Sequence, residues 1–272
     1  MRLRIAVICL GVMLAALPCL AQQAMPSPPR LVYDNFNSKW LDPNKWKVGA
    51  DYCSGNCLEM VREIEFGRLR LAARSVGRLG VDSGTAYAQA ALPFPDAVSA
   101  SLTSIQAEVF VKEYGGVPCP TNTEDMTHAE VFIGGGFFST SGIPGDWMSD
   151  IRASLILWVD TTNPTTLQVG LWWGSGDGTV GTWTPVAAYP LGTPLILRLT
   201  WDRLGHRFIG SARSLDPSDS GAEVPADYGA LNVAGPAFNF EKDLSAMTNA
   251  MSCSVVQSVS HVDTRFDNVI IK

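Results

Sequence analysis

Apolar and polar residues alternate with a period of two along much of this 272-residue chain. Clear examples are residues 68–73 and 105–112, where every second side chain is apolar. Related runs follow at 131–138, 154–160, 167–173, 195–202, 208–213 and 266–271. Because successive side chains of a strand point to opposite faces, these segments are predicted to be half-buried β-strands.

Turn-forming residues separate the predicted strands, for example at 162–164, 174–178 and 203–206. A helical period is not sustained anywhere, apart from a turn or two expected around 243–250. Many short strands at this spacing indicate an all-β sandwich or barrel. We find no internal repeat and no dividing linker, so we expect a single domain over residues 31–272.

The first residues have the order of a secretory signal peptide: basic Arg2 and Arg4, an apolar run at 5–17, then small residues. We expect residues 1–21 to be removed and 22–30 to form a Pro/Ser-rich leader. The apolar run is shorter than the roughly 20 residues that span a bilayer, and no later segment is a better candidate. We therefore expect no membrane insertion and a secreted, periplasmic or cell-surface protein.

Charge and composition narrow the range of partners. The net charge is -6, and loss of the two leader arginines lowers it to -8, from 18 basic and 26 acidic residues. No run of lysine or arginine appears, which disfavours nucleic acid and anionic membranes as partners. With 25 glycines, 17 prolines and 17% charged residues, the chain is predicted to be rich in turns.

Four of the six cysteines remain after the leader is removed: Cys53, Cys57, Cys119 and Cys253. An even number in an exported protein indicates disulfides. The close spacing of Cys53 and Cys57 favours a local bridge, which leaves Cys119 to pair with Cys253. The alternative is a zinc site, but the second pair lacks the close spacing of a zinc knuckle.

Both ends of the mature chain carry motifs of a known superfamily. Residues 31–36 read Leu-Val-Tyr-Asp-Asn-Phe, 41–46 read Leu-Asp-Pro-Asn-Lys-Trp, and 266–271 read Phe-Asp-Asn-Val-Ile-Ile. Together they resemble the concanavalin A-like lectins and glucanases, a LamG-like jelly-roll superfamily. Residues 59–71 look like a group of uncharacterised secreted bacterial proteins within it.

This resemblance implies a two-sheet antiparallel β-sandwich of the concanavalin A-like jelly-roll type. Its first and last strands are expected to pair, and one concave sheet is expected to face a sugar. A single fold hosts many functions, so the activity must be argued from the site itself.

Family-16-like glucanases use a Glu-x-Asp-x-(x)-Glu strand, in which alternate carboxylates project onto one face. Retaining cleavage needs the outer two about 5 Å apart. This chain offers only Glu63-Ile64-Glu65, without the central aspartate or the third acid, and close to the N-terminus. Both glutamates are more simply solvent-side residues of an early strand.

A second acid pair, Glu108 and Glu130, lies on the polar sides of two predicted strands. If those strands are neighbours in one sheet, the two carboxylates would face one groove together with Gln106 and Arg198. The alternative is that all four are ordinary solvated residues on an exposed sheet face.

Tryptophans are the stronger binding candidates, because a sugar ring stacks its C–H face on an indole. Trp172 and Trp173 are adjacent on one strand and must point to opposite faces. Alternation places Trp173 inward, so Trp172 is the best surface candidate. Trp147 and Trp183 are interpreted as loop residues that rim a groove, and core packing is the competing interpretation for each.

A structural Ca²⁺ is also expected from the resemblance, since sandwiches of this superfamily often hold one near their paired ends. Asp34 and Asp267 lie in the end motifs and are its candidate ligands. Ca²⁺ takes six or more oxygens, some of them from backbone carbonyls that a sequence does not reveal.

The favoured hypothesis is a secreted, non-catalytic, lectin-like module that binds a glycan or another extracellular polysaccharide. The first alternative is a divergent glycoside hydrolase that uses Glu108 and Glu130. The second is a structural or adhesion domain of the cell envelope whose sheet face binds a protein.

Overall fold

The computed structural model describes residues 32–48, 51–78, 82–92, 101–121, 127–159, 163–238 and 241–272. The predicted signal peptide at 1–21 and the leader at 22–30 lie outside these ranges. Among the residues that are described, no helix has both the length and the apolar character needed to cross a membrane.

Strands account for most of the described residues, and a short 3₁₀ turn, η1 (Trp147–Ser149), precedes one of them. In chain order the strands are β1 (Lys47–Val48), β2 (Tyr52–Gly55), β3 (Cys57–Glu65), β4 (Arg68–Gly77), β5 (Gly84–Ala91), β6 (Ser104–Val117), β7 (His128–Ser139), β8 (Asp150–Val159), β9 (Thr166–Ser175), β10 (Gly181–Pro190), β11 (Leu195–Asp202), β12 (Arg207–Ser214), β13 (Ala222–Asp227), β14 (Gly235–Pro236), β15 (Lys242–Ala250) and β16 (Ser258–Ile271).

These strands form two antiparallel sheets. The nine-stranded sheet has the order β1-β5-β15-β7-β8-β9-β10, with β2 also paired to β5 and β14 to β7. The seven-stranded sheet has the order β13-β12-β11-β6-β16-β4-β3. The prediction of an all-β, two-sheet antiparallel sandwich of the jelly-roll type is confirmed.

The core lies between the two sheets and is built from the inward half of each alternating strand. Leu155 and Leu157 of β8, and Leu197 and Leu199 of β11, have no exposed surface. Each fully buried leucine contributes roughly 1.5–3 kcal/mol from the hydrophobic effect. Because every second residue is used in this way, the other half of each strand faces outward and is available for a site.

Residues 243–250 are a strand, and the expectation of helical turns there was wrong. They belong to β15, which lies between β5 and β7 in the centre of the nine-stranded sheet. Its alanines, leucine and methionine favour helix, but strand pairing on both sides overrides that intrinsic preference. Leu244 and Ala246 are buried in the core, which leaves Asp243 and Ser245 on the opposite face.

The two ends of the described chain meet, as the end motifs predict. The amide of Tyr33 donates to the carbonyl of Val269 at 2.7 Å, and the amide of Val269 donates to the carbonyl of Asp34 at 2.8 Å. The Trp46 indole donates to the Asp34 carboxylate at 2.8 Å. The N-terminal motif is therefore held against the last strand.

Two disulfides connect the predicted pairs. Cys53 and Cys57 link β2 to β3, which belong to different sheets. Cys119 follows β6, and it is joined to Cys253, which lies between β15 and β16. Both predicted pairings are confirmed. The first bridge joins a strand of the nine-stranded sheet to a strand of the seven-stranded sheet, and the second joins the segment after β6 to the segment between β15 and β16.

Candidate functional site

A groove of about 870 Å³ opens on the outer face of the nine-stranded sheet. Its volume is within the range of known ligand sites. Its walls combine aromatic and polar side chains, principally Tyr52, Tyr87, Phe132, Trp147, Trp172, Arg152, Ser154 and Asp243. This concave surface brings aromatic and charged groups together.

The floor of the groove is a row of residues across four neighbouring strands. Asp243 of β15 is opposite Gly134 of β7, Gly134 is opposite Ser154 of β8, and Ser154 is opposite Trp172 of β9. Residues in register across a sheet share one face. Because Gly134 has no side chain, Ser154 Oγ lies close to it, 2.5 Å from where a Cβ would stand.

Trp172 lies against the sheet because the next outward position on β9 is a glycine. A Cβ on Gly174 would lie 2.7 Å from Cζ2 of the Trp172 ring, so the indole extends over that residue. Gly174 is in register with Arg152 of β8, so the indole extends toward the backbone position of Arg152. Trp173 is 6% exposed and packs in the core, as the alternation predicts.

Asp243 is the buried carboxyl of the groove, with 4% of its surface exposed. The Tyr87 hydroxyl donates to Ser245 Oγ at 3.0 Å and lies 3.5 Å from Asp243 Oδ2. Burial raises the pKa of Asp243 to about 6, and the positive charge of Arg152 partly opposes that rise. Burial also raises the pKa of Tyr87, which stays protonated at neutral pH.

Of the other two predicted tryptophans, Trp147 lines this groove and Trp183 does not. Trp147 begins the η1 turn and is 52% exposed at the rim. Trp183 lies on β10, in register with Trp172, and not in a loop as expected. Its ring covers Gly170 and packs edge-on against Trp158, with 4.7 Å between ring centroids. The three predicted tryptophans therefore lie on one side of the molecule.

Gln106 and Arg198 are separated from these tryptophans. They are in register with each other on β6 and β11 of the seven-stranded sheet. Their neighbours Ala107 and Leu197 are buried in the core, so both side chains point to the outer face of the other sheet. Arg198 also donates to Glu223 at 2.8 Å. The structure does not bring these two residues to Trp172.

Glu108 and Glu130 are not brought together either. Glu108 is on β6 of the seven-stranded sheet, and Glu130 is on β7 of the nine-stranded sheet. The shared groove required neighbouring strands in one sheet, and that condition is not met. Glu130 lies 3.9 Å from His128 Nε2 in a separate cavity of about 460 Å³ that residues of both sheets line.

Within the described part of the groove, the second carboxyl is Asp150. Asp150 is four residues from Ser154 along β8, so the two Cα atoms are about 13 Å apart. Asp243 is two strands away from Ser154 across the sheet, which separates their Cα atoms by about 10 Å. The backbones of Asp150 and Asp243 are thus about 16 Å apart, which exceeds the carboxylate spacings of retaining and inverting glycosidases. Asp150 also accepts a hydrogen bond from the Phe238 amide at 2.7 Å.

Glu63 and Glu65 form ion pairs on the seven-stranded sheet. Glu63 binds Arg70 at 2.7 Å, and Glu65 binds Arg265. The interpretation of both as solvent-side strand residues agrees with this position, although their partners are not their nearest arginines in sequence. Neither glutamate faces the groove.

The two candidate Ca²⁺ ligands, Asp34 and Asp267, both accept hydrogen bonds from protein groups. Asp34 accepts the Phe36 amide at Oδ1 and the Trp46 indole at Oδ2. Asp267 accepts the Asn268 amide at 2.8 Å. The described residues contain no group of three or more His, Cys, Asp or Glu arranged to hold a metal. These contacts do not provide a ligand set, and calcium binding stays a prediction.

Sequence reasoning missed Tyr87, Arg152 and Asp243, which line the centre of the groove. Tyr87 belongs to β5, where alanines alternate with Thr85, Tyr87 and Gln89. That alternation was present in the sequence, but alanine is a weak marker of a buried face. Asp243 was missed because its strand was interpreted as helical turns.

No protein-family model matches the chain, and no curated protein matches it significantly. Several solved structures are similar to the chain at low sequence identity. An alginate lyase from Klebsiella pneumoniae is 10% identical with a TM-score of 0.47, covering 78% of this chain and 84% of the lyase. A legume lectin-like domain from Entamoeba histolytica is 9% identical with a TM-score of 0.38, covering 89% and 97%.

The kappa-carrageenase of Pseudoalteromonas carrageenovora is 11% identical with a TM-score of 0.39, and the alignment covers 93% of this chain and all of the carrageenase. At identities near 10% and TM-scores below 0.5, no activity is transferred from any of them. The function must be argued from the groove.

Proposed function

We propose that this protein is a lectin-like module that binds a glycan in the groove of the nine-stranded sheet without cleaving it. The observation that carries the proposal is the row from Asp243 to Trp172, which places hydrogen-bonding groups beside a flat indole. Sugars need both, because their C–H faces stack on aromatic rings while their hydroxyls exchange hydrogen bonds. Trp147, at the rim, supplies a second aromatic surface.

The carboxyl groups support binding over hydrolysis. A glycosidase uses two carboxyl groups that flank the scissile bond. Asp243 and Asp150 lie too far apart for that arrangement, and Glu108 and Glu130 lie on different sheets. The proposal of a non-catalytic module rests on this geometry of the described residues.

We place this module outside the cytoplasm. Two disulfides are compatible with an oxidising compartment, where such bonds form and persist. The proposed export depends on the signal peptide predicted at residues 1–21. Secretion of a tagged full-length chain, with cleavage after Ala21 read by mass spectrometry, tests it.

A glycan array probed with the mature chain, with and without Ca²⁺ chelation, tests the binding proposal. We expect Trp172→Ala to weaken binding of the best glycan about tenfold or more, because a central buried aromatic contact usually dominates binding. Trp40→Ala is the matched control, since Trp40 is 81% exposed and does not line the groove.

Equal affinities in wild type and Trp172→Ala would contradict the site. Release of new reducing ends from the bound polysaccharide would contradict the non-catalytic role. A chain that binds no member of the array would overturn the proposal as a whole.

A further inference from the structure

Arg152 stands out among the arginines that the structure describes. It is half-buried in the groove, yet no described carboxylate lies within 4.0 Å of its guanidinium. The other described arginines that lack such a partner are exposed on the surface: Arg74, Arg78, Arg203 and Arg213. The charge of Arg152 acts on Asp243 without a direct ion pair, so its guanidinium still has hydrogen-bond donors available for an anionic group.

The surroundings of Arg152 leave space for a ligand group. Its register partners are Gly136 on β7 and Gly174 on β9, neither of which has a side chain. The Trp172 ring lies over Gly174, the register partner of Arg152, and both Trp172 and Arg152 line the groove. A pyranose ring on Trp172 would therefore bring a ring substituent close to Arg152.

We propose that the groove selects glycans that carry an anionic group, a carboxylate or a sulfate, and that Arg152 binds this group. The inference rests on the proposed function and defines its ligand class. Arginine suits the task because its planar fork donates two parallel hydrogen bonds to a carboxylate or a sulfate.

Asp243 modulates this selectivity, since its carboxyl group lines the groove together with Asp150 and interacts with the charge of Arg152. The charged and titratable groups that face it are Tyr87 on β5 and Arg152 on β8, together with Glu241 and Lys242 beside it in sequence. The opposite residue on β7 is Gly134. When Asp243 is protonated, its repulsion of an anionic ligand disappears and Arg152 is left as the dominant charge.

Calorimetry with matched pairs of tetrasaccharides tests the inference. Polyuronates of galacturonate, glucuronate, guluronate and mannuronate are compared with their methyl esters, and a sulfated galactan fragment is compared with its desulfated form. We expect at least one anionic member to bind tenfold or more tightly than its neutral counterpart. Whether that member is a uronate or a sulfate identifies the source of the charge.

Variants assign the effect to Arg152. Arg152→Gln is expected to lower the affinity for the anionic member at least tenfold, and Arg152→Lys is expected to retain part of it. Arg74→Gln is the matched control, because Arg74 is a strand arginine on the other sheet that also lacks a carboxylate partner. Its affinity should equal that of the wild type.

The pH dependence adds a second measurement. Wild-type affinity for the anionic member should be severalfold higher at pH 5 than at pH 8, and Asp243→Asn should bind equally well at both. One outcome would overturn this inference and leave the proposed function intact. In that outcome, wild type and Arg152→Gln bind neutral glycans with equal affinity, and Trp172→Ala loses that binding. No binding to any glycan would overturn both.

Discussion

At the scale of single residues, Asp243 is a carboxyl group in the groove that lowers the stability of the fold at neutral pH. Its carboxyl group is almost completely buried, and burial raises its pKa from 3.8 to about 6. Between these values the folded chain binds more protons than the unfolded chain, so stability falls as the pH rises from about 4 to about 6. At neutral pH the ionised group destabilises the fold.

Asp243→Asn should therefore raise the free energy of unfolding at pH 7 by about 1–3 kcal/mol, since each pKa unit corresponds to about 1.4 kcal/mol. At pH 4, where the wild-type carboxyl is protonated, the gain should largely vanish. Urea unfolding at the two pH values measures the difference. An equal effect at both values would show that Asp243 is not the group that titrates.

Lys242, the preceding residue, is buried on the inner side of the same strand. Its ammonium group donates to the Gly136 carbonyl and lies 4.2 Å from the centroid of the Phe137 ring. Burial lowers its pKa from 10.5 to about 7. The unfolded chain binds more protons between these values, so stability rises as the pH increases from about 7 to about 10.

Lys242→Met keeps the volume of this side chain and removes its charge. We expect it to stabilise the protein by about 1–4 kcal/mol at pH 6, where the buried lysine is charged, and by less at pH 10. Thermal unfolding at both pH values provides the measurement. Destabilisation at pH 6 would mean that the ammonium contacts outweigh its loss of hydration.

Single residues also show what a sequence can and cannot predict about a site. Trp172 was assigned to the outer face correctly, because adjacent tryptophans on a strand must point to opposite faces. Arg152 was missed because the predicted strand began at Ser154, whereas β8 begins at Asp150. Its missing ion-pair partner is a property of three-dimensional neighbours, which no local pattern encodes.

At the scale of elements, the β9–β10 hairpin positions the aromatic surface. Glycines at alternate outward positions of β9 let two indoles lie over the strand: Trp172 over Gly174, and Trp183 over Gly170. Glycine weakens a strand interior, so its presence here reflects the close approach of another group.

Gly174→Ala should displace the Trp172 indole, because the new methyl carbon would lie 2.7 Å from its ring. We expect a loss of glycan affinity of about fivefold or more, with a loss of stability of about 1–3 kcal/mol, the usual cost of an added carbon in a packed site. Gly116→Ala on β6 is the control, since its nearest contact is the Val259 carbonyl at 3.3 Å. Unchanged affinity in Gly174→Ala would indicate that the ring is not a contact surface.

The strands with strong apolar alternation were predictable, and those with small or mixed residues were not. β6 and β11 carry valine, isoleucine and leucine on their inner faces and were recognised. β5 uses alanine inward, and β15 combines helix-favouring residues with polar ones. These two strands carry Tyr87 and Asp243, so half of the groove was hidden from pattern reasoning.

At the scale of the whole molecule, the sequence predicts which face of a strand is polar but not which strands are neighbours. Glu108 and Glu130 both lie on polar faces, yet their strands belong to different sheets. Pairing between distant segments, such as β15 with β5 and β7, is decided by the packing of the whole core. The fold class was therefore predictable, while the composition of the site was not.

The long disulfide should contribute more to the free energy of unfolding than the short one. Cys119 and Cys253 are separated by 134 residues, and Cys53 and Cys57 by four. In the chain-entropy model, loss of the long bridge costs about 4–5 kcal/mol, against about 2 kcal/mol for the short one. Denaturation of Cys119→Ser/Cys253→Ser and Cys53→Ser/Cys57→Ser compares them. A larger loss from the short bridge would show that native-state contacts dominate.

The most direct test of the central claim is a crystal structure of the mature chain with the best-binding oligosaccharide. The account predicts a sugar ring stacked on Trp172, hydrogen-bonded along the row from Ser154 to Asp243, with its anionic group at Arg152. A sugar bound instead on the seven-stranded sheet, near Gln106 and Arg198, would contradict it.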